Sequence, residues 1–486
     1  MRILYLKSNK DVLSLLLLLA VFIVSRALYD QVGITFLGDT YRHYWQFIHQ
    51  SLLRTDLWRS IFYLHSQPPL FNILTGIVLQ IFPAHTQDML HFVYYVAGAL
   101  FAISIYLLGV NLGFPDWVSW IVATLFMISP STILYEHWFM YGYLIASALA
   151  LSGVALYRFA QSQKMPWGIL FFFLLACIAL TWTLFHLIWM FAIFIMTLYL
   201  FQDRRKVMLA ALLPLLIVFG WYAKNFLVFG EFTAGTWGGM NLANTTTFRL
   251  PEKERRQMIR SGELSKFAGY PPFRNPVVYL KLLPDTPTTG IPVLDITEFP
   301  DGVLNYHHRV YLDASNYYLR DALHVLRIRP ELYLRSVVQS LYIFFHSSSD
   351  FELIWGIRRP IQTWDVWWNR LFYGQWLTDE TPGERMAEIS PLHVGWEIVA
   401  SFLIAIWGTS SYFWKNPDLM RKPHGLLLLF MITNVLYVTV VGNSIDIGEN
   451  NRFRYVIDSF ILLLTIHILY RYIQERQRKV TYVDDK

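Results

Sequence analysis

Residues 91–157 read HFVYYVAGALFAISIYLLGVNLGFPDWVSWIVATLFMISPSTILYEHWFMYGYLIASALALSGVALY, and only Asp116 and Glu136 in this stretch carry a fixed charge. Extending the window back to Ser60 adds only Asp88. A bilayer core about 30 Å thick takes about 20 helical residues, and comparable runs lie near 12–30, 91–111, 117–134, 138–158, 184–201, 207–228, 392–414, 424–443 and 455–472. Shorter ones fall near 68–82, 167–181 and 333–346. Lipid-exposed backbone must satisfy its own polar groups. The reading is therefore an all-α polytopic membrane protein with about 10–12 transmembrane helices and two sizeable external loops.

Composition agrees with that reading. Of 486 residues, 55% are hydrophobic and 15% charged, whereas a soluble domain carries roughly 25% charged residues. Disorder, collagen-like repeats and a disulfide scaffold are excluded, since there are 26 Gly without period and one Cys. The net charge of +6 does not come from a basic stripe interleaved with aromatics, so no nucleic-acid partner is expected. The basic residues flank apolar runs instead, at 158–164, 202–206, 415–422 and 471–479, and such connectors stay cytoplasmic.

That rule puts the N-terminus and the tail inside, and residues 31–67, 230–332 and 444–454 outside. Nine of the 21 Pro fall in 230–332. The organisation is then an N-terminal membrane module (1–229) carrying the first external loop, an external segment (230–391), and C-terminal membrane helices with a basic tail (392–486). For Glu136 to be external, one of the runs between 68 and 134 must fail to cross, and 68–82 is the shortest. The run 333–346 must likewise be re-entrant or interfacial. Within 31–67, Tyr41, Tyr44, Trp45, Ile48 and Leu52 recur at helical spacing opposite Arg42, His43, Gln46, Gln50 and Arg54. That spacing predicts an amphipathic interfacial helix.

The chemistry-bearing residues sit at the outer ends of these runs. Asp39, in FLGDTYRHYW, is a carboxylate at the membrane surface; its plain alternative is a helix N-cap. HSQPPLFN (65–72) is a loop returning into the membrane, since Pro suits a first helical turn, and it carries His65 and Gln67. Glu136 and His137 form an ionisable pair at a span boundary, costly unless they face a cavity, a partner or water. Lys224 either snorkels or joins Gly238, Gly239 and Asn241 in a close-approach pocket for phosphate. In GENNRFRY (448–455), Arg452 and Arg454 with Glu449 lie outside against the positive-inside trend. Guanidinium forks match phosphate oxygens; an internal ion pair with Glu449 is the alternative.

This order of elements resembles the GT-C superfamily of integral membrane glycosyltransferases, particularly the branch of protein O-mannosyltransferases and the lipid A aminoarabinose transferase. The resemblance runs from the first span and its acidic loop through the x-P-P-L re-entry, the carboxylate at Glu136, the K-N-x-x-x-F-G turn from Lys224, and GENNRFRY. It implies a sugar donor on polyprenyl phosphate, attack by an acceptor from the non-cytoplasmic side, and inversion at the anomeric carbon. It assigns Asp39 as base, Lys224, Arg452 and Arg454 to the donor phosphate, and His65, Gln67, Glu136, His137, Asn241 and Glu449 to substrate. Relatives often carry His or Lys before Pro-Pro-Leu, where this chain has Gln67. Asp39 is followed by Thr40 and the loop has no Asp-x-Asp, so neither metal nor cofactor is expected. The acceptor stays open, membrane lipids surround the chain, and a bacterial inner membrane with a periplasmic site is the expected setting. A flippase of lipid-linked sugars is the competing reading. It would favour inverted repeats, and no matching halves are evident.

Overall fold

The structure is a computed structural model that describes residues 9–377 and 389–484, with side chains from 12 to 477. The first eight residues of the basic N-terminus, part of the segment 230–391 and the side chains ending the basic tail lie outside the described residues. Those described are all-helical, with only isolated two-residue bridges in place of strands. In chain order the principal helices are α1 (Asn9–Gln31), α2 (Leu70–Ile81), α3 (Thr86–Asn111), α4 (Asp116–Ile128), α5 (Pro130–Glu136), α6 (Tyr141–Ser162) and α7 (Met165–Ala179). There follow α8 (Leu187–Leu200), α9 (Arg204–Phe229), α10 (Gly238–Thr245), α11 (Val310–Ile328), α12 (Pro330–Phe344), α13 (Pro423–Ile445) and α14 (Asn450–Asp484). Six of them are long and apolar enough to cross a bilayer, or seven when the bent pair α4–α5 counts as one span. The chain is an integral membrane protein. The shorter α7 and α8, and the segment 396–415 with its π-helical turn Ile404–Gly408, also run between the two ends of the bundle.

α6 is the central helix, packed on α3, α7, α13 and α14. Small residues on its buried faces, including Ala146, Ala150 and Gly153, let these neighbours approach, as membrane helices without a hydrophobic drive between them require. The basic connectors meet at one end. Phe114, after α3, lies 6.1 Å from the Tyr470 ring, Phe159 stacks on Phe201 at 4.4 Å, and His424 Nδ1 is 3.3 Å from Asn111 O. The long loops gather at the opposite, loop-bearing end.

α2 stays at the loop-bearing end. Its Leu70 N–H donates to Leu180 O (2.9 Å), and Gln80 near its other end donates to Leu53 O (3.0 Å). It packs on the short helices Gln50–Thr55 and Leu57–Phe62, which explains why an apolar run of this length need not cross. α12 also stays there, with Tyr333 Oη donating to Ser444 O and Ser340 Oγ to Asp446 O.

The amphipathic helix expected over 41–54 is not continuous. A 3₁₀ turn, Gly38–Arg42, and the helix Gln50–Thr55 are separated by an irregular stretch. The break follows from Asn72 on α2, which accepts from Ile48 N–H (2.8 Å) and donates to Gln46 O (3.2 Å), so backbone groups a helix would pair internally are held by a side chain instead. Above the bundle, α10 and α11 build a small separate core of Trp237, Met240, Phe267, Tyr279, Tyr311 and Tyr318. α10 lies so close to α11 that a Cβ at Gly239 would come 2.0 Å from Ser315 O, so only glycine fits there.

Candidate functional site

A cavity of about 370 Å³ opens at the loop-bearing end between the irregular stretch 44–46, the Ser66–Gln67 loop, the α7–α8 connection, α10 and the α13–α14 turn. Its charged wall is Asp446, Glu449 and Arg452. Arg452 occupies the first turn of α14 and is 4% exposed. Its Nη2 lies 2.5 Å from Glu449 Oε2, while Nε and Nη1 have no hydrogen-bond partner. The rings of Trp138, Tyr141, Trp182, Phe351 and Phe453 surround it at 5.5–6.0 Å. A guanidinium held among π faces with two unused donor atoms is a ready anion site.

Asp446 is fixed by its backbone, whose carbonyl accepts from Ser340 Oγ (3.0 Å) and Asn450 Nδ2 (3.1 Å). Its Oδ1 accepts from Ile447 N–H at 2.8 Å. Burial, with the Glu449 charge adding to it, pushes the Asp446 carboxyl up to about 6. Sequence reading missed this residue, because an isolated Asp in NSIDIGENN has no motif; its one signal was standing three residues before Glu449.

The site residues expected from sequence divide into two sets. Gln67, Asn241, Glu449 and Arg452 line the cavity together. His65 backs it: Nε2 donates to His307 O (3.0 Å), which leaves Nδ1 to accept from Thr236 Oγ1 (2.8 Å). Burial first, and the neighbouring His307 next, hold the His65 pKa down to about 3. Burial likewise holds His307, bonded to Ser66 Oγ, down to about 4. These two neutral rings tie the Pro-Pro loop to Thr236 and to the segment around His307. Gly235 passes so near that a Cβ would sit 2.5 Å from Ser66 O.

The others stand away from the cavity lining. Lys224 donates to Leu64 O (2.7 Å), with Nζ 3.6 Å from the Trp221 ring centre; it supports the Pro-Pro loop from below. Every donor nitrogen of Arg454 is taken, by Asp458, Ser348 and the carbonyls of Phe344 and His346. Glu136 is wholly buried and receives both Arg26 Nε (2.9 Å) and Nη2 (2.5 Å), together with the Tyr143 hydroxyl. His137 donates from Nδ1 to Ile133 O (2.8 Å). Asp39 is half-buried inside the turn Gly38–Arg42, whose capping position is Leu37. Leu37 bridges to Trp138 through Leu37 N–H to His137 O (2.7 Å) and Phe139 N–H to Leu37 O (3.2 Å), so the Asp39 turn and the Glu136 turn are one unit.

No family model matches the chain, and no curated protein matches it. Among solved structures it is similar to the Archaeoglobus fulgidus oligosaccharyltransferase. With the form tethered by a disulfide to an acceptor peptide containing the NVT sequon, it shares 12% identity and a TM-score of 0.37 over 94% of this chain and 50% of that one. With the form in complex with zinc and sulfate, the values are 13% and 0.40 over 96% and 51%. The chain spans about half the length of those structures.

Proposed function

We propose that the chain is a membrane glycosyltransferase that moves a sugar from a polyprenyl-phosphate donor to an acceptor at the non-cytoplasmic face, in the periplasm of a bacterial inner membrane. The observation that carries the reading is Arg452, buried at the cavity wall with Nε and Nη1 unpaired. In the reaction the acceptor's nucleophilic atom bonds to the anomeric carbon as the bond from that carbon to the phosphate oxygen breaks. The electron pair leaves with the phosphate, where a preorganised cation is worth most. The acceptor proton passes to a carboxylate. Two carboxylates are placed for comparison in that role: Asp446 in the cavity, and Asp39 on the turn that leads into Tyr44 and Gln46.

The test is release of polyprenyl phosphate from a panel of short-chain polyprenyl-phosphate sugars by the purified full chain, its Arg452→Gln variant, and the Asp39→Asn and Asp446→Asn variants. Release that is lost with Arg452→Gln and with one of the two Asn variants supports the transferase and identifies its base. Donor binding without release, even with cell-envelope acceptors present, sinks it and moves the question to lipid flipping in liposomes.

A further inference from the structure

The cavity has two unlike walls. Besides Asp446, Glu449 and Arg452 it is lined by Trp45, Gln46, Trp237, Asn241, Asn244 and Phe273, none of them charged. Trp237, Asn241 and Asn244 are spaced four and three residues apart along α10, which puts them on one helix face. The close packing of Gly239 on α11 holds that face in place. The rings form a rigid cluster, with centroids of Trp45 and Phe273 5.0 Å apart, Trp237 and Phe273 5.3 Å, and Trp45 and Tyr306 5.5 Å. Trp237 is 7% exposed, yet its indole N–H has no partner, and the Gln46 side-chain oxygen is unpaired as well. Unpaired polar groups beside one cavity are free to bond a ligand there, and bonding would remove the cost of leaving them buried and unsatisfied.

The ligand's chemistry follows from what this wall lacks. An anionic group would need a cation, and Lys224, the one foreseen for the phosphate pocket near Asn241, is engaged by Leu64 O and the Trp221 ring. A bare lipid chain would leave the indole and amide groups unpaired, at about 1–3 kcal/mol each. An uncharged pyranose satisfies both demands, setting its C–H face on the aromatic rings and its hydroxyls on the amides and the Trp237 indole N–H. The volume suits it, since pockets for small molecules run from about 300 to 1,000 Å³.

We infer that the Trp45–Trp237–Asn241 wall is a binding subsite for a neutral sugar ring. Its place in catalysis rests on the transferase reading, but its chemistry does not. The ring can belong to the donor or to a saccharide acceptor, and the experiment separates the two. Saturation-transfer NMR is recorded on the full chain in lipid nanodiscs with maltose, cellobiose, mannobiose, galactobiose and chitobiose. The expected result is transfer to the ring protons of at least one disaccharide, with affinity falling roughly ten-fold, about 1.4 kcal/mol, in Trp237→Ala and again in Asn241→Ala. The second variant matters because Trp237 also supports the small core, whereas Asn241 does not. Displacement of the disaccharide by a polyprenyl-phosphate sugar makes the ring the donor's; simultaneous binding makes it the acceptor's. Absence of transfer across the panel, or affinity unchanged in Asn241→Ala, overturns the inference. Binding is read without turnover, so an inactive chain can pass this test and an active transferase can fail it.

Discussion

Replacing Arg452 and Glu449 one at a time should move anion binding in opposite directions. Arg452 offers Nε and Nη1 to a ligand while Nη2 is held at 2.5 Å by Glu449, whose side chain is 31% exposed. Hydrogen bonds to charged groups are worth about 1.5–3 kcal/mol each, so Arg452→Gln, which removes the charge, should weaken a phosphodiester by at least ~10-fold and by ~100-fold if both bonds are made. Glu449→Gln keeps the guanidinium and removes a competing negative charge. At an effective dielectric of about 20 and a separation of about 8 Å, the repulsion relieved is about 2 kcal/mol; the exposure of Glu449 discounts this to roughly 1 kcal/mol, a tightening of about five-fold. Both variants lose the ion pair and are expected to be less stable, so stability alone cannot produce opposite signs. Calorimetric titration of the full chain in nanodiscs with a farnesyl phosphodiester reads both. If Arg452→Gln binds within two-fold of wild type, or both variants weaken binding equally, the pair is structural and the anion site is refuted.

The same probe should bind more tightly as pH falls from 7.5 to 5.5. The Asp446 carboxyl, pushed up to about 6, becomes neutral and takes the charged wall from one net negative to zero, while the phosphodiester keeps its single charge. Asp446→Asn should flatten that profile, and a wild-type profile already flat would contradict it. Arg26→Met, which strands Glu136 at 0% exposure, should cost about 3–5 kcal/mol. Adding Glu136→Leu should restore most of the lost thermal midpoint; a double variant no more stable than the single would show that the ion pair is not the cause. Finally, His65 and His307 are held at about 3 and about 4, so the unfolded chain binds protons below pH ~6.5 that the folded one refuses. Their stabilisation is complete above that pH and is lost on acidification by about 1.4 kcal/mol per histidine per pH unit. Asp446, titrating with a raised pKa, offsets about one of the two. Thermal midpoints in detergent should therefore fall between pH 6.5 and 4.5, and a rise would refute the assignment of neutral buried rings.

Membrane architecture was legible because burial in hydrocarbon is written in composition and run length. The run 68–82, the shortest of those between 68 and 134, forms the short helix α2, which packs at the loop-bearing end. The helix expected over 41–54 had the right periodicity but lost to Asn72, a competitor on another helix that no local pattern announces. For the site, the residues legible as cavity lining lay in loops, Gln67 and Glu449, on the short helix α10, Asn241, and at the start of α14, Arg452. Lys224 and Arg454 looked equally available, but backbone carbonyls had claimed them. Arg26 and Glu136 are 110 residues apart, and pairing over such distances is a property of the packed bundle. Asp446 needed the turn itself to be seen, since its burial is made by α12 and α13 together.

The shortness of α7 and α8 has a consequence for the surrounding lipid. Helices of 15 and 14 residues rise only about 22 and 21 Å, against a hydrocarbon core of about 30 Å, and the connection between them forms one side of the cavity. Mismatch of this size is relieved by local thinning of the bilayer or by tilt. Where thinning takes up that mismatch, the headgroup layer dips toward the protein's midline on that flank. The lipid-linked donor proposed above would then meet Arg452 at the depth at which it already travels, without being lifted out of the leaflet.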